Sequence, residues 1–162
     1  MNTERRLERA DDSMIERKIA QFKNACQARG VKLTHQRLVI FRELAASSDH
    51  PNAERVYESV RKQIPTISLD TVYRTLALLA DMGLIVAIGA PRERVRFDAT
   101  VDIHPHFICS SCGSATDVHW PEFQRLTLPA ESQSAGKVES VRVEFRGVCA
   151  SCMQNKQRRE AD

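Results

Sequence analysis

The hydrophobic positions of this chain keep a helical period as far as Gly83 and a shorter period beyond it. From Met14, the residues Ile15, Ile19, Phe22 and Cys26 recur at spacings of three and four, and Gly30 supplies a stop, which predicts a first helix. Cys26 lies on that apolar stripe and reads as a buried structural thiol. Thr34 is a good N-cap for a second helix with Leu38, Phe41, Leu44 and Ala45 on one face, ending in Ser47-Ser48-Asp49 before His50-Pro51. Asn52 caps a third helix carrying Val56, Tyr57 and Val60, closed by Pro65. Ser68 caps a fourth, SLDTVYRTLALLADMG, with Val72, Leu76 and Leu79 inward and Gly83 as its C-terminal stop.

Two short strands, Leu84–Ile88 and Val95–Phe97, then flank the turn Gly89-Ala90-Pro91-Arg92. Helices followed by a hairpin are the order of a winged helix-turn-helix, with the helix from Ser68 as the recognition helix. From Asp98 the pattern changes again. Phe107–Cys109 and Thr116–Trp120 read as strands around the knuckle C-S-S-C-G, Pro121–Leu128 as a short helix, and Pro129–Gly136 as a loop. Val138–Phe145 alternates at Val141, Val143 and Phe145, a half-buried strand leading to a second knuckle, C-A-S-C. The fold class expected is α+β: a flexible arm over 1–13, a winged-helix domain over 14–97, and a hinge with an α/β dimerisation domain over 98–162. The polar tail QNKQRREAD reads as disordered.

Composition narrows the picture without deciding it. The 162 residues are 42% hydrophobic and 28% charged, ordinary for a soluble domain or two small ones. No apolar run reaches the ~18 residues of a membrane span, and the N-terminal residues lack the apolar core of a secretory signal, so a cytoplasmic location is the expectation. A net charge of +3 favours a polyanionic partner only weakly, and the placement of basic residues matters more.

The chemistry lies mostly between Asp98 and Asp117, in DATVDIHPHFICSSCGSATD. Four of the five cysteines fall into C-x-x-C pairs, Cys109/Cys112 and Cys149/Cys152. In a reducing compartment such pairs read as zinc ligands before disulfides or a redox dithiol. Four thiolates make a closed tetrahedral site that stabilises rather than catalyses. The gap of 36 residues between Cys112 and Cys149 exceeds that of a usual zinc ribbon, and a strand–helix–strand insertion can close it. His104 and His106 face the same side if extended, and Asp98 and Asp117 stand nearby. An H-x-H pair alone is ambiguous and fits surface or capping roles as well as metal ligation. Imidazole and carboxylate ligands suit Fe²⁺ or Mn²⁺ without excluding Zn²⁺. His50, remote in sequence, reads locally as a helix-flanking histidine before proline, and His119 as a structural or surface residue.

On the fourth helix, Ser68, Asp70, Thr71, Tyr73 and Arg74 present groups able to meet phosphates or base edges. Arg92, Arg94 and Arg96 would decorate the wing as phosphate contacts. Two other classes of function stand beside DNA binding. Two histidines and a carboxylate are also the facial triad of non-haem iron oxygenases, although nothing else in the sequence suggests a substrate pocket. A zinc-stapled interaction module without DNA binding is the other.

Taken together, LTHQRLVIFREL, HPNAERVYESV, TISLDTVYRTLALLADMGLI, RFD, HPHFICSSCG, DVH and the closing C-x-x-C resemble the ferric uptake regulator (Fur) superfamily of metal-dependent repressors, over roughly Gln21 to Cys152. The resemblance implies a homodimer that binds a palindromic operator in double-stranded DNA, with structural Zn²⁺ on the four cysteines. It implies a regulatory Fe²⁺ or Mn²⁺ held by His50, Asp98, His104, His106 and Asp117. Aspartates at 98 and 117, and no histidine beyond Trp120, make the chain most similar to the peroxide-responsive (PerR) branch. There, iron in the site reacts with hydrogen peroxide and a ligand histidine, His50 or His104, becomes 2-oxo-histidine, metal is lost and DNA is released. Iron-responsive control of metal uptake without peroxide sensing is the alternative. His35 stands where the family commonly has proline, Arg74 where some peroxide regulators have asparagine, and the N-terminal arm is longer than in typical members of that branch.

Overall fold

Three polar side chains begin three of the helices, each accepting a hydrogen bond from a backbone N–H three residues on. Thr34 accepts from Arg37 at the start of α2 (His35–Ala46), Asn52 from Arg55 at the start of α3 (Ala53–Arg61), and Ser68 from Thr71 at the start of α4 (Leu69–Asp81). Each satisfies one of the N–H groups a helix start leaves without an internal partner, worth ~1 kcal/mol. The computed structural model describes residues 12–89, 95–100, 104–139 and 141–161. Of the flexible arm expected over 1–13, residues 12 and 13 belong instead to a helix, and residues 1–11 lie outside the described residues, as do the turn holding Arg92 and Arg94 and Ile103 between Asp98 and His104. Those that are described fall into two units that divide between residues 101 and 102.

In the first unit, α1 (Asp12–Ala28) starts two residues earlier than the periodicity from Met14 predicts. Its stripe of Ile19, Phe22 and Cys26 is buried, as expected. α2 is packed by α1, α3 and α4, so its buried face is wider than one stripe. Val39 and Ile40 are buried with Phe41, Leu44 and Ala45, while Leu38 is only half-buried. The Phe22 and Phe41 rings stack at 4.8 Å. Val56 and Val60 of α3 and Val72, Leu76 and Leu79 of α4 complete the core. Each such side chain contributes ~1.5–3 kcal/mol by leaving water.

α4 ends where Gly83 turns left-handed, at φ +69°. There the Leu84 N–H reaches the Leu79 carbonyl at 3.0 Å and the Gly83 N–H reaches Ala80 at 2.9 Å, a Schellman closure that a residue with a Cβ would strain. The chain then forms an antiparallel pair, β1 (Val86–Ile88) and β2 (Arg96–Asp98), with Val86 opposite Asp98 and Ile88 opposite Arg96. Helices followed by this hairpin are the winged helix-turn-helix arrangement.

The second unit is a three-stranded sheet in the order β4-β3-β5, from β3 (His106–Cys109), β4 (Ala115–Asp117) and β5 (Glu144–Gly147). β3 pairs antiparallel with β4 and parallel with β5. Pro121–Arg125 forms a 3-10 turn where a short helix was expected.

Three expectations are corrected here. Pro129–Gly136 is not a loop: Ala130–Ala135 forms a helix, α5. The strand predicted over Val138–Phe145 lies further on, at Glu144–Gly147, where among the described residues β5 pairs with β3 alone, and Phe145 is exposed rather than half-buried. The polar tail is ordered as α6 (Ala150–Ala161), a run of Gln, Lys, Arg, Glu and Ala with no Gly or Pro to interrupt it.

Candidate functional site

The four cysteines come together through backbone pairing rather than proximity in sequence. β3 and β5 run in parallel register from His106↔Glu144 to Cys109↔Gly147, which brings the knuckle after β3 beside the one after β5. Ser110 donates to the Gly147 carbonyl from its N–H at 2.7 Å and from its hydroxyl at 3.0 Å. Gly147 leaves little room for a side chain, since a Cβ there would stand 3.2 Å from the Phe107 ring, tighter than ordinary contact.

All four sulfurs lie within 4.8 Å of one another, and Cys112 Sγ is 3.9 Å from Cys149 Sγ. Four thiolates bonded to one Zn²⁺ at about 2.3 Å stand about 3.8 Å apart, so the cluster fits that ion. Its protonation fits as well. Burial pushes the Cys109 thiol up, but N–H groups of Cys149, Cys112 and Ser111 hold it down at about 6. Hydrogen bonding at Ser114 lowers Cys112. At Cys152 a hydrogen bond with Ser111 acts downward, yet those with Cys149 and Cys112 outweigh it and push the thiol up to about 12. Four close sulfurs cannot all ionise without a cation among them.

A histidine–aspartate set is built on the same sheet. The β3–β4 register sets His106 opposite Asp117, and His104, two residues earlier, emerges on the same side with ring centroids 4.4 Å apart. His104 Nε2 is 3.0 Å and His106 Nε2 is 3.5 Å from the same Asp117 Oδ1. Ligand atoms sharing an ion through bonds of about 2.1 Å lie about 3.0 Å apart at right angles and about 3.4 Å apart in a tetrahedron. Three donor groups converge on one point. His119 is exposed, in keeping with a surface role.

In the first unit, His50 sits at the α2–α3 junction and Asp98 ends β2. His50 Nε2 is 3.7 Å from Asp98 Oδ2, with only 4% and 7% of their side chains exposed. Sequence reasoning had no local signal for this pair, because the residues are brought together by the hairpin. Around it, Asp49 accepts from Ser47 Oγ at 2.6 Å and pairs with Arg55 at 2.6 Å. Arg96, expected on the wing surface, instead points Nη1 at the His50 carbonyl, 3.0 Å away.

The DNA-facing residues expected on the fourth helix lie at its N-cap and in its first turns, where Ser68, Asp70, Tyr73 and Arg74 are exposed and Thr71 is half-buried. Their polar groups are pre-ordered within the protein. Ser68 Oγ caps Thr71 N and lies 2.8 Å from Thr71 Oγ1, and Arg74 pairs with Asp70 at 3.4 Å. Tyr73 donates to Glu54 of α3 at 2.6 Å. That bond, then burial and the Glu54 charge, push the Tyr73 phenol up, so it remains a donor at neutral pH. Glu54 was missed from the sequence, since no spacing rule links one helix to the next.

Residues 28–146 match the Ferric uptake regulator family. The chain belongs to that family. It is 32% identical over 143 residues to the peroxide-responsive repressor PerR of Staphylococcus epidermidis, covering 88% of this chain and 93% of that one. The solved Helicobacter pylori ferric uptake regulator Fur superposes with a TM-score of 0.71 at 22% identity, over 90% of this chain and 97% of that one, a likeness of fold. The peroxide stress regulator of Campylobacter jejuni superposes with a TM-score of 0.59 at 27% identity, over 82% and 96%. As a member of this family, the chain is a metal-responsive regulator, in a family of regulators rather than enzymes. Among the described residues, no helix is long and apolar enough to cross a membrane.

Proposed function

We propose that this chain is a metal-dependent, DNA-binding transcriptional repressor that senses hydrogen peroxide. The observation that carries the reading is the convergence of His104 and His106 on Asp117 Oδ1, at 3.0 and 3.5 Å. Two imidazoles and a carboxylate make a nitrogen–oxygen ligand set suited to Fe²⁺ or Mn²⁺, separate from the all-sulfur cluster suited to zinc. His50 and Asp98 complete the regulatory set, with one imidazole and one carboxylate from the winged-helix unit.

An ion that draws ligands from both units favours the arrangement in which all five donors reach it, by the difference in its affinity between arrangements. In this reading the ion is the co-repressor. Ser68, Asp70, Thr71, Tyr73 and Arg74 then meet DNA from α4, whose exposed N-terminal turns are the part of a recognition helix that enters the major groove. A homodimer on a palindromic operator is the matching assembly. Leu126, Leu128, Val138, Phe145, Val148 and Met153 are exposed apolar residues of the second unit, and β5 has one open edge among the described residues.

Bound Fe²⁺ would supply the electron that activates hydrogen peroxide beside the ligand imidazoles. In the net change His50 or His104 would gain one oxygen of the peroxide as 2-oxo-histidine, the other oxygen leaving as water, and the modified imidazole would be a poorer ligand. The reaction is stoichiometric rather than a turnover. The 32% identity to a peroxide-responsive repressor over most of both chains and aspartates at 98 and 117 favour this branch over iron-responsive control of uptake genes.

Selection from a random duplex library in the presence of Mn²⁺, followed by mobility shift, tests the repressor reading. The expected result is enrichment of a palindrome bound by the holo-protein and released by a chelator that leaves the cysteine-bound zinc in place. Failure to enrich any sequence would leave a zinc-stapled interaction module in its place.

A further inference from the structure

We propose that Arg96 is a positioning residue for the regulatory ion, holding the backbone of His50 so that its imidazole meets Asp98. The inference rests on the reading of His50 and Asp98 as ligands and adds a residue to it.

Three observations, all within the first unit, lead there. His50 is the non-glycine residue with a positive φ among those described, at +47°. That left-handed conformation is uncommon for residues with a Cβ and persists where the surroundings hold it. It occurs between two helix ends, where a relaxed φ would carry the ring elsewhere. Second, Arg96 Nη1 donates to the His50 carbonyl at 3.0 Å and stands 3.5 Å from the Asp49 carbonyl, the outer edge of hydrogen bonding. One guanidinium thus grips two consecutive peptide units, one of them at the left-handed residue. Third, all three residues of β2 engage the 49–51 junction. Arg96 holds its carbonyls, the Phe97 N–H donates to the Pro51 carbonyl at 3.1 Å, and the Asp98 carboxylate faces the His50 ring at 3.7 Å.

Because alternate residues of a strand share a face, Arg96 and Asp98 belong to one side of β2. The first fixes the backbone of His50 and the second its ring. β2 is held in turn by β1, through Ile88↔Arg96 and Val86↔Asp98. The geometry is that of a two-point clamp, in which a residue that touches no ion sets the direction of one that does.

The sign of the effect separates this role from an electrostatic one. Arg96 carries a fixed positive charge near a cation site, so charge alone predicts that removing it tightens ion binding. The positioning role predicts the reverse. The test is a Mn²⁺ titration of zinc-loaded, full-length wild type, R96Q, R96K and H50A, followed by competition with a chromophoric chelator and by thermal shift. R96Q is expected to bind Mn²⁺ about 10-fold or more weakly, in the range seen when a residue supporting a ligand is lost. R96K keeps the charge but not the fork, and is expected to fall between R96Q and wild type. Both should reach the wild-type plateau of stabilisation at saturating Mn²⁺, with zinc content unchanged. If R96Q does not fold, the R96K arm alone decides, because a shifted midpoint with a kept plateau is still required of it.

Wild-type or tighter affinity in the Arg96 variants, with H50A impaired, overturns the positioning role and leaves His50 as a ligand. Equal affinity of wild type and H50A overturns the ligand reading, and the positioning role with it.

Discussion

His50 Nε2 and Asp98 Oδ2 lie 3.7 Å apart with 4% and 7% of their side chains exposed, so an imidazole and a carboxylate share a site closed to solvent although 47 positions separate them. Buried groups of this kind are held in place for a partner, since removing them from water is costly unless they are paired or bind a metal.

The first prediction follows from that pair. Mn²⁺ should raise the melting temperature of the wild-type chain, because a ligand that binds only the folded state stabilises it by roughly 2.7 kcal/mol at about 100 times its Kd. H50A and D98A should lose most of this increment while keeping their zinc. Thermal unfolding with and without Mn²⁺, with metal content measured in parallel, checks it.

How much of this was legible beforehand depended on how local each signal was. Thr34, Asn52 and Ser68 were readable as caps because the hydrogen bond each accepts closes within three residues. The cysteine cluster was readable because a C-x-x-C turn carries half of a site by itself. α5 was missed although Pro129 and Gly136 bracket it as helix start and stop, since its six residues offered no apolar period. The place of β5 is set by pairing with β3 as far as Cys109↔Gly147, a long-range register that alternation at Val141, Val143 and Phe145 cannot reveal. His50 needed the family resemblance, and Arg96 was misplaced because R-x-R-x-R around a turn looks the same whether its members face water or a buried carbonyl.

The four-cysteine cluster gives the second prediction. C112S should lose zinc and unfold the second unit, seen as a change in Trp120 fluorescence, because Trp120 packs near Phe123 and Phe145 at 5.8 and 6.2 Å. G147A is the finer probe. Its Cβ would meet the Phe107 ring at 3.2 Å, and overpacking of that kind costs ~1–3 kcal/mol. Faster release of zinc to a chelator is expected, with wild-type stoichiometry at the outset. Zinc retained by C112S, with unchanged fluorescence, would argue against a four-thiolate site.

The third concerns Asp49 and acid. Burial pushes its carboxyl up, but the Ser47 hydrogen bond and the Arg55 guanidinium outweigh that and hold it below its ordinary value of 3.8. A depressed folded pKa stabilises the fold above the unfolded value, and that contribution disappears as pH falls through the folded one. D49N should therefore be less stable than wild type at neutral pH, with the difference narrowing from about pH 5 downward. Urea midpoints across that range measure it, and a gap that widens on acidification would mean the ion pair is not the source.

The central claim is that this family member senses peroxide through its own ligand histidines. The most direct measurement is to load the zinc-containing protein with Fe²⁺ without oxygen, add dilute hydrogen peroxide, and map the mass of each histidine-containing peptide. The same samples are assayed for binding to the selected duplex. A one-oxygen gain confined to the peptides of His50 or His104, absent from the Mn²⁺ form and rising in step with loss of DNA binding, is the predicted result. An iron form that keeps both its mass and its DNA affinity would contradict the claim, leaving control by iron availability as the function.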